Sequence, residues 1–341
     1  MAIRIPESAK KPGVHYAVSS DGVELPVVDV THPAFMLRLE AEDIAALREQ
    51  DAAEHRDWQR KPALLRRLLF SLARRKSVFV QALKDGESGF LSGMNTYLMK
   101  LGPDNLGKGY TKPLDRRIAS KAPFLNVRLR LQNMARLIAD GLLPRLEAGE
   151  SGPLRLVNIA GGPALDSINA LILINQAHPR HLAGRPVRIL VLDQDTAGPT
   201  FGALALQALS QPGGPLAGLD VAFERRHYNW GQPSLLGEVW KDAAGETLAA
   251  GSSEGGLFEY GDNATILANL EALRERSPAG FTMSGSLSLD LPHTRSSVRF
   301  ARLPTRTFSL EAFHSLAGQA GWRVEQVHEG PMALCVRLGK R

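Results

Sequence analysis

From position 154 onward the apolar residues fall into two alternating patterns. Unbroken runs, first Leu154–Ile159 and then Val187–Leu192, have the length and composition of strands buried on both faces. The segment between them spaces its apolar residues as a helix does. The first run empties into Gly161, Gly162 and Pro163 and the second into Asp193, Gln194 and Asp195, so the stretch reads strand, glycine turn, helix, strand, acid. That is the outline of a parallel βαβ unit holding an adenosine-containing ligand at the carboxyl ends of its strands. The alternation continues with a helix at 201–209, a strand at 220–223 followed by a turn at Asn229, Trp230 and Gly231, a helix at 234–246 and a strand at 247–250. Then come a helix at 263–276 capped by Asp262, a strand at 281–289, a helix at 309–321 with Ser309 as its N-cap and Gly321 past its end, and a closing hairpin over 322–340.

Before position 150 the pattern is mainly helical. Residues 1–30 read as a proline- and glycine-rich arm with one edge strand at 23–30, interrupted by Pro26. Amphipathic helices are predicted from Pro33 to about residue 59, from 63 to about 83, and over 123–143, the last leading directly into the first buried strand. Between 84 and 112 lies a glycine-rich segment that also carries Phe, Tyr, Met and Asn. Glycine permits close backbone approach and amphipathic side chains line pockets, so this segment is expected to be a lid or substrate loop with Asn95, Tyr97 and Tyr110 as contacts. The alternative is a connector whose aromatics pack into the core.

Composition narrows the class. With 341 residues, 44% of them hydrophobic, the chain can fill a large core. A lone cysteine, Cys335, excludes an intrachain disulfide framework or a cysteine-cluster metal site and suits a reducing compartment. The opening MAIRIPESAKKPG has no apolar stretch of signal-peptide length and no later run reaches membrane-spanning length, so a cytoplasmic protein is expected. The net charge of +6 sits largely in Arg66–Arg67, Arg74–Lys76, Arg116–Arg117, Arg128 and Arg130, on predicted helices with apolar residues between the cations. This reads as solvated helix faces rather than a nucleic-acid surface.

Five βα units closed by a hairpin resemble the class I, Rossmann-like S-adenosylmethionine-dependent methyltransferases of the small-molecule type, over the stretch from about Leu154 to the end. The resemblance implies an α/β fold with a seven-stranded sheet, six strands parallel and one antiparallel, as a catalytic domain at 150–341 behind an arm and helical cap at 1–149. It implies S-adenosyl-L-methionine as cofactor and in-line transfer of a methyl group to an O, N or S atom of a small-molecule metabolite. The family's first motif falls on residues 158–164, where Asn158 stands in place of the acid and Ala160 and Ala164 in place of two glycines; Gly161 and Gly162 match. Asp193 falls where a carboxylate takes both ribose hydroxyls, with Gln194 beside it. Tyr228, Asn229 and Trp230 fall where residues flank adenine, and Ser252 and Glu254 follow the fourth strand, beside the transferred methyl. Phe258 and Tyr260 complete the implied substrate contacts.

Three candidate catalytic residues stand at strand ends: Glu254, placed to meet a cationic or hydroxyl group or else an ordinary turn acid, and His227 and His293 as general bases. A surface or structural role is the other reading of each histidine. There is no HExxH, no His/Asp facial pattern and no cysteine pair, so no metal is expected, and neither GxSxG nor GxxxxGK[ST] occurs. Two other readings stay open. A nucleic-acid (RNA) methyltransferase is motivated by the basic balance, although SSEGG stands where (D/N)PP(Y/F/W) would follow the fourth strand. A non-catalytic nucleotide-binding Rossmann-like protein is motivated by the altered glycine motif. A small-molecule substrate is expected because a large helical cap favours an enclosed site. No membrane partner is expected, and the apolar N-terminal helices offer a surface for a homodimer.

Overall fold

The computed structural model describes residues 3–85, 91–241, 247–301 and 303–341. A small antiparallel hairpin opens the chain, β1 (Tyr16–Val18) against β2 (Glu24–Pro26). Six helices follow: α1 (Ala41–Arg60), α2 (Ala63–Lys76), α3 (Val78–Asp85), α4 (Gly93–Lys100), α5 (Pro113–Ala119) and α6 (Ala122–Glu147). The alternating part then runs β3 (Leu154–Ile159), α7 (Leu165–Ala177), β4 (Val187–Leu192), α8 (Ala197–Leu209), β5 (Val221–Arg226) and β6 (Leu248–Ser253). It ends α9 (Leu257–Tyr260), α10 (Asn263–Arg276), β7 (Thr282–Leu289), α11 (Pro292–Ala301), β8 (Thr307–Phe308), α12 (Leu310–Gln319), β9 (Trp322–Glu329) and β10 (Ala333–Lys340).

The main sheet has the order β5-β4-β3-β6-β7-β10-β9. Strands β3 to β7 pair in parallel, and β10 runs antiparallel to both β7 and β9. The closing hairpin thus inserts its last strand between β7 and β9, as the helix-then-hairpin ending predicts. An eighth, two-residue strand, β8, pairs in parallel with the end of β7, so the sheet has one strand more than expected. Alternate residues of β3 serve the two faces: Leu154 and Leu156 enter the core with Ile168 and Phe201, Val157 and Ile159 the core with Phe281 and Trp322. The first of these cores also takes in Val27, Val28, Phe35 and Tyr97, so apolar packing is continuous from the N-terminal arm to the sheet.

Where elements differ from the sequence pattern, a distant residue is responsible. The helix expected over 63–83 is cut at Ser77, which is extended (φ −143°, ψ 131°). Asp115, brought in by α5, accepts from Val78 N (3.1 Å) and Phe79 N (3.3 Å) and so caps a new helix there. The helix expected from Pro33 starts only at Ala41 because Phe35 is buried and Leu37 exchanges two hydrogen bonds with the Gln132 side chain of α6 (3.0 and 2.9 Å). Over 234–246 a short 3-10 helix, Pro233–Val239, takes the place of the expected α-helix; residues 242–246 lie outside the described residues. The helix α2 buries none of its residues and turns Leu64, Leu68 and Leu72 outward. Among the described residues no helix is long and apolar enough to cross a membrane.

Candidate active site

The glycine turn after β3 keeps its shape despite its alanines. Ala160 (φ 53°) and Ala164 (φ 52°) both sit in the left-handed region, the only non-glycine residues to do so among the described ones, and Gly162 joins them at φ 55°. A methyl group on Gly93 would lie 3.1 Å from Gly162 Cα and 3.2 Å from Gly198 Cα, so the N-terminus of α4 rests directly on this turn. The segment expected to be a lid is therefore, over Gly93–Lys100, a helix capped by Ser92, whose side chain accepts from Asn95 N at 3.1 Å. Residues 86–90 of that expected lid lie outside the described residues.

Beneath the turn an amide and a carboxylate pair. Asn158 is fully buried and its Nδ2 donates to Asp166 Oδ1 (2.7 Å) and Ser252 Oγ (3.0 Å). Asp166, in the first turn of α7, thus brings a buried carboxylate against position 158, and the amide there supplies the donor that a second carboxylate would lack. Burial pushes the Asp166 carboxyl up from the ordinary 3.8 to about 6, with the nearby Glu254 charge adding to the effect. A Cβ on Gly161 would come within 2.1 Å of Asn158 Oδ1, which is why that position holds glycine.

At the end of β4, Asp193 Oδ2 accepts from Gly162 N (3.0 Å) and Oδ1 from Asp195 N (2.8 Å). Each carboxylate oxygen retains a lone pair for a further donor, and the side chain is held in one orientation by the turn it faces. Burial raises its pKa, and the two backbone N–H groups work against that rise. Asp195 caps α8, accepting from Thr196 N (2.7 Å) and Ala197 N (3.1 Å).

These elements enclose a cavity of about 390 Å³ lined by Ala160, Gly161, Gly162, Asp193, Gln194, Trp230 and Glu254, with Ser92, Gly93, Thr96 and Lys100 contributed by α4 and its cap. A second cavity, about 580 Å³, lies between α1, α6 and α11, with walls of Trp58, Met99, Ile118, Phe124, Val127 and Val298. Leu91, Thr96, Gly255 and Tyr260 line both, so the two chambers meet beside the loop after β6.

The wall between them carries a buried run of charges. Glu254 pairs with Lys100 Nζ through one oxygen and Arg130 Nε (2.8 Å) through the other; Arg130 Nη1 continues to Glu259 (2.9 Å), which accepts from Ser286 Oγ (2.8 Å). Burial would raise the Glu254 pKa, but the Lys100 ammonium and the Arg130 guanidinium outweigh it and hold the carboxyl below its ordinary range. Burial would likewise lower Arg130, and Glu259 and Glu254 raise it instead. Two cations face two carboxylates, so the cluster is locally neutral.

The sequence-derived candidates separate accordingly. Ala160, Gly161, Gly162, Asp193, Gln194 and Trp230 line the first chamber, Asn158 and Ser252 support its floor, and Asn229 turns back to accept from Gly231 N (2.9 Å). Of the substrate candidates only Tyr260 lines a chamber. Tyr97 is fully buried with its ring 4.6 Å from Phe201 and its hydroxyl donating to Pro26 O, Tyr110 donates to Asn105 O (2.7 Å), Phe258 packs on Phe313 (5.2 Å between ring centroids), and Asn95 is half-buried outside both linings. The three catalytic candidates are not brought together: Glu254 is locked between its cations, His227 is exposed at the end of β5, and His293 begins α11 beside Asp51. Lys100, Arg130, Glu259 and Asp166 were not singled out from the sequence. A signal existed for Arg130, which shares one helix face with Asn126 and Asn133 at four- and three-residue spacing.

No protein-family model and no curated protein matches the chain. Among solved structures it is similar to a "possible exported protein" from Bordetella parapertussis, with 16% identity, 89% of this chain and 97% of that chain covered, and a TM-score of 0.51. It also matches magnesium protoporphyrin IX methyltransferase from Synechocystis PCC 6803 with bound SAH (12% identity, 66% and 92% covered, TM-score 0.42) and a pyocyanin biosynthetic protein (16% identity, 64% and 58% covered, TM-score 0.38). The chain spans little more than half the length of the last. The first likeness extends over nearly the whole of both chains, and the sheet order stands on its own. The chain has a Rossmann-like α/β fold, a mostly parallel sheet closed by an antiparallel hairpin, preceded by a mainly helical N-terminal region.

Proposed function

We propose that the protein is an S-adenosylmethionine-dependent methyltransferase acting on a small molecule. The observation that carries this reading is the pair of chambers meeting at Thr96, Gly255 and Tyr260, one floored by the glycine turn and Asp193, the other apolar. Two similar solved structures hold the same cofactor or its product: SAH is bound in the Synechocystis methyltransferase and S-adenosylmethionine in an O-methyltransferase from neocarzinostatin biosynthesis.

The first chamber suits such a ligand. Its turn of small residues lets a ligand approach the backbone of 160–162, Asp193 is oriented with lone pairs free for a pair of hydroxyls, and Trp230 offers an indole face. Lys100 brings a cation to the same chamber, next to Glu254. Bound there, S-adenosylmethionine supplies a methyl group on a positively charged sulfur. The chain's own work is to hold donor and acceptor in line across the junction and to exclude water, which the buried wall and the seated α4 accomplish. Glu254, ionised and held by two cations, acts as a fixed charge rather than a proton acceptor. Titration calorimetry with S-adenosylhomocysteine tests the assignment: binding is expected, and Asp193→Ala should weaken it by about tenfold to a hundredfold. No heat at millimolar ligand would overturn it.

A further inference from the structure

The larger chamber is lined mainly by apolar surface but carries, between α1 and α11, buried polar atoms that have no partner among the described residues. Thr294 is 3% exposed and its Oγ1 makes no hydrogen bond among the described residues. Asp51 Oδ2 and His293 Nε2 are buried and equally unpartnered. Asp51 and Thr294 line the chamber, and α1 packs on α11, which sets His293, next to Thr294 in the chain, within electrostatic reach of Asp51. Their polar neighbours are already engaged: His55 shares a hydrogen bond with Ser296, and Glu54 pairs with Lys121 at 2.6 Å.

Buried polar atoms are almost always satisfied, and a group of three left open beside a chamber marks a place where a ligand completes the bonding. Asp51, an acceptor when ionised, sets the polarity of that ligand. Burial raises its carboxyl, and His293 is the foremost of the charges that lower it again. The walls also carry Trp58, Phe124 and Met99, which offer apolar contact, beside polar residues such as Asn126, Arg130 and Ser297.

We propose that Asp51, His293 and Thr294 form a recognition site for a hydrogen-bond-donating head group, an amine or a hydroxyl, on an otherwise apolar ring-bearing molecule. This deepens the methyl-transfer reading and rests on it only for what happens where the two chambers meet, beside Gly255 and Tyr260. Asp51 and Thr294 line only the second chamber, so the head group selects the acceptor molecule without being the atom that receives the methyl group.

Equilibrium dialysis of the full chain with three probes of one skeleton tests this: 2-naphthylmethylamine, 2-naphthalenemethanol and 2-methylnaphthalene. The wild type should prefer the amine or the alcohol over the hydrocarbon by about tenfold or more. Thr294→Val, which keeps the shape and removes the hydroxyl, and Asp51→Asn should each cut that preference about fivefold while leaving the hydrocarbon within about twofold. A greater loss for the amine than for the alcohol in Asp51→Asn identifies the head group as an ammonium; the reverse identifies a hydroxyl. Equal binding of all three probes, an unchanged preference in both variants, or no binding of any probe would overturn the site. Calorimetry with S-adenosylhomocysteine on the same proteins keeps the two ideas apart: absence of that binding in the wild type defeats the methyl-transfer reading and leaves the probe preference standing.

Discussion

The two chambers at the carboxyl edge of the sheet are built from different material. The first is made mostly of backbone: turns after β3 and β4 whose shape is set by glycines, left-handed alanines and carboxylates bonded to N–H groups. The second is made of side chains from α1, α6 and α11, and among its polar groups Asp51 Oδ2 and Thr294 Oγ1 have no hydrogen-bond partner among the described residues. A backbone-built site is preorganised for one ligand shape, because turn geometry tolerates few alternatives. A side-chain-built site is retuned by single substitutions. The division suits a protein with a fixed donor and a particular acceptor.

The sharpest way to break this contrast is to attack the wall that both chambers share. Arg130→Met leaves Glu254 with only Lys100 and Glu259 without its cation, in surroundings that exclude water. Denaturant melts should show a loss of about 3–5 kcal/mol. Stability within 1 kcal/mol of the wild type would mean that the buried charges do not hold the chambers apart.

Asp166 concerns the first chamber alone. Its folded-state pKa, about 6, lies above the ordinary 3.8, so the protonated form is favoured by folding. The associated stability is fully present below about pH 4 and is lost as pH rises through about 6, and for this fully buried group it amounts to roughly 3 kcal/mol. Asp166→Asn removes this dependence, so the variant's advantage over the wild type should grow between pH 4.5 and 7.5. Parallel stability curves across that range would refute the assignment.

The smallest effect concerns the turn itself. Ala160→Gly relieves a left-handed alanine at φ 53° and should raise stability by about 0.5–1 kcal/mol, while affinity for S-adenosylhomocysteine is kept. A loss of stability would show that the alanine methyl contributes packing worth more than its strain.

How far these features could be read in advance follows from their range along the chain. The alternation of β3, α7 and β4, the caps Asp262 and Ser309, and the closing hairpin are written in neighbouring residues, and all stand as the pattern predicts. Asp193 was legible for the same reason, since strand and acid are contiguous. Tyr97 misled because composition, glycine among aromatics, resembles a pocket-lining loop, whereas Ser92 and helical spacing make it a capped helix that drives the tyrosine into the core.

By itself the sequence determined the order and type of the strands, the glycine turn and the carboxylate beside it, because burial on one or two faces imposes a period that local composition reveals. Tertiary structure alone decided which charges meet. Lys100 reaches Glu254 across 154 residues and Arg130 reaches it across 124, and Asp51 faces His293 only because α1 packs on α11. Such pairs leave no periodic trace, since a charge is stable inside a protein only when its partner arrives with it, and the partner's place in the chain is free.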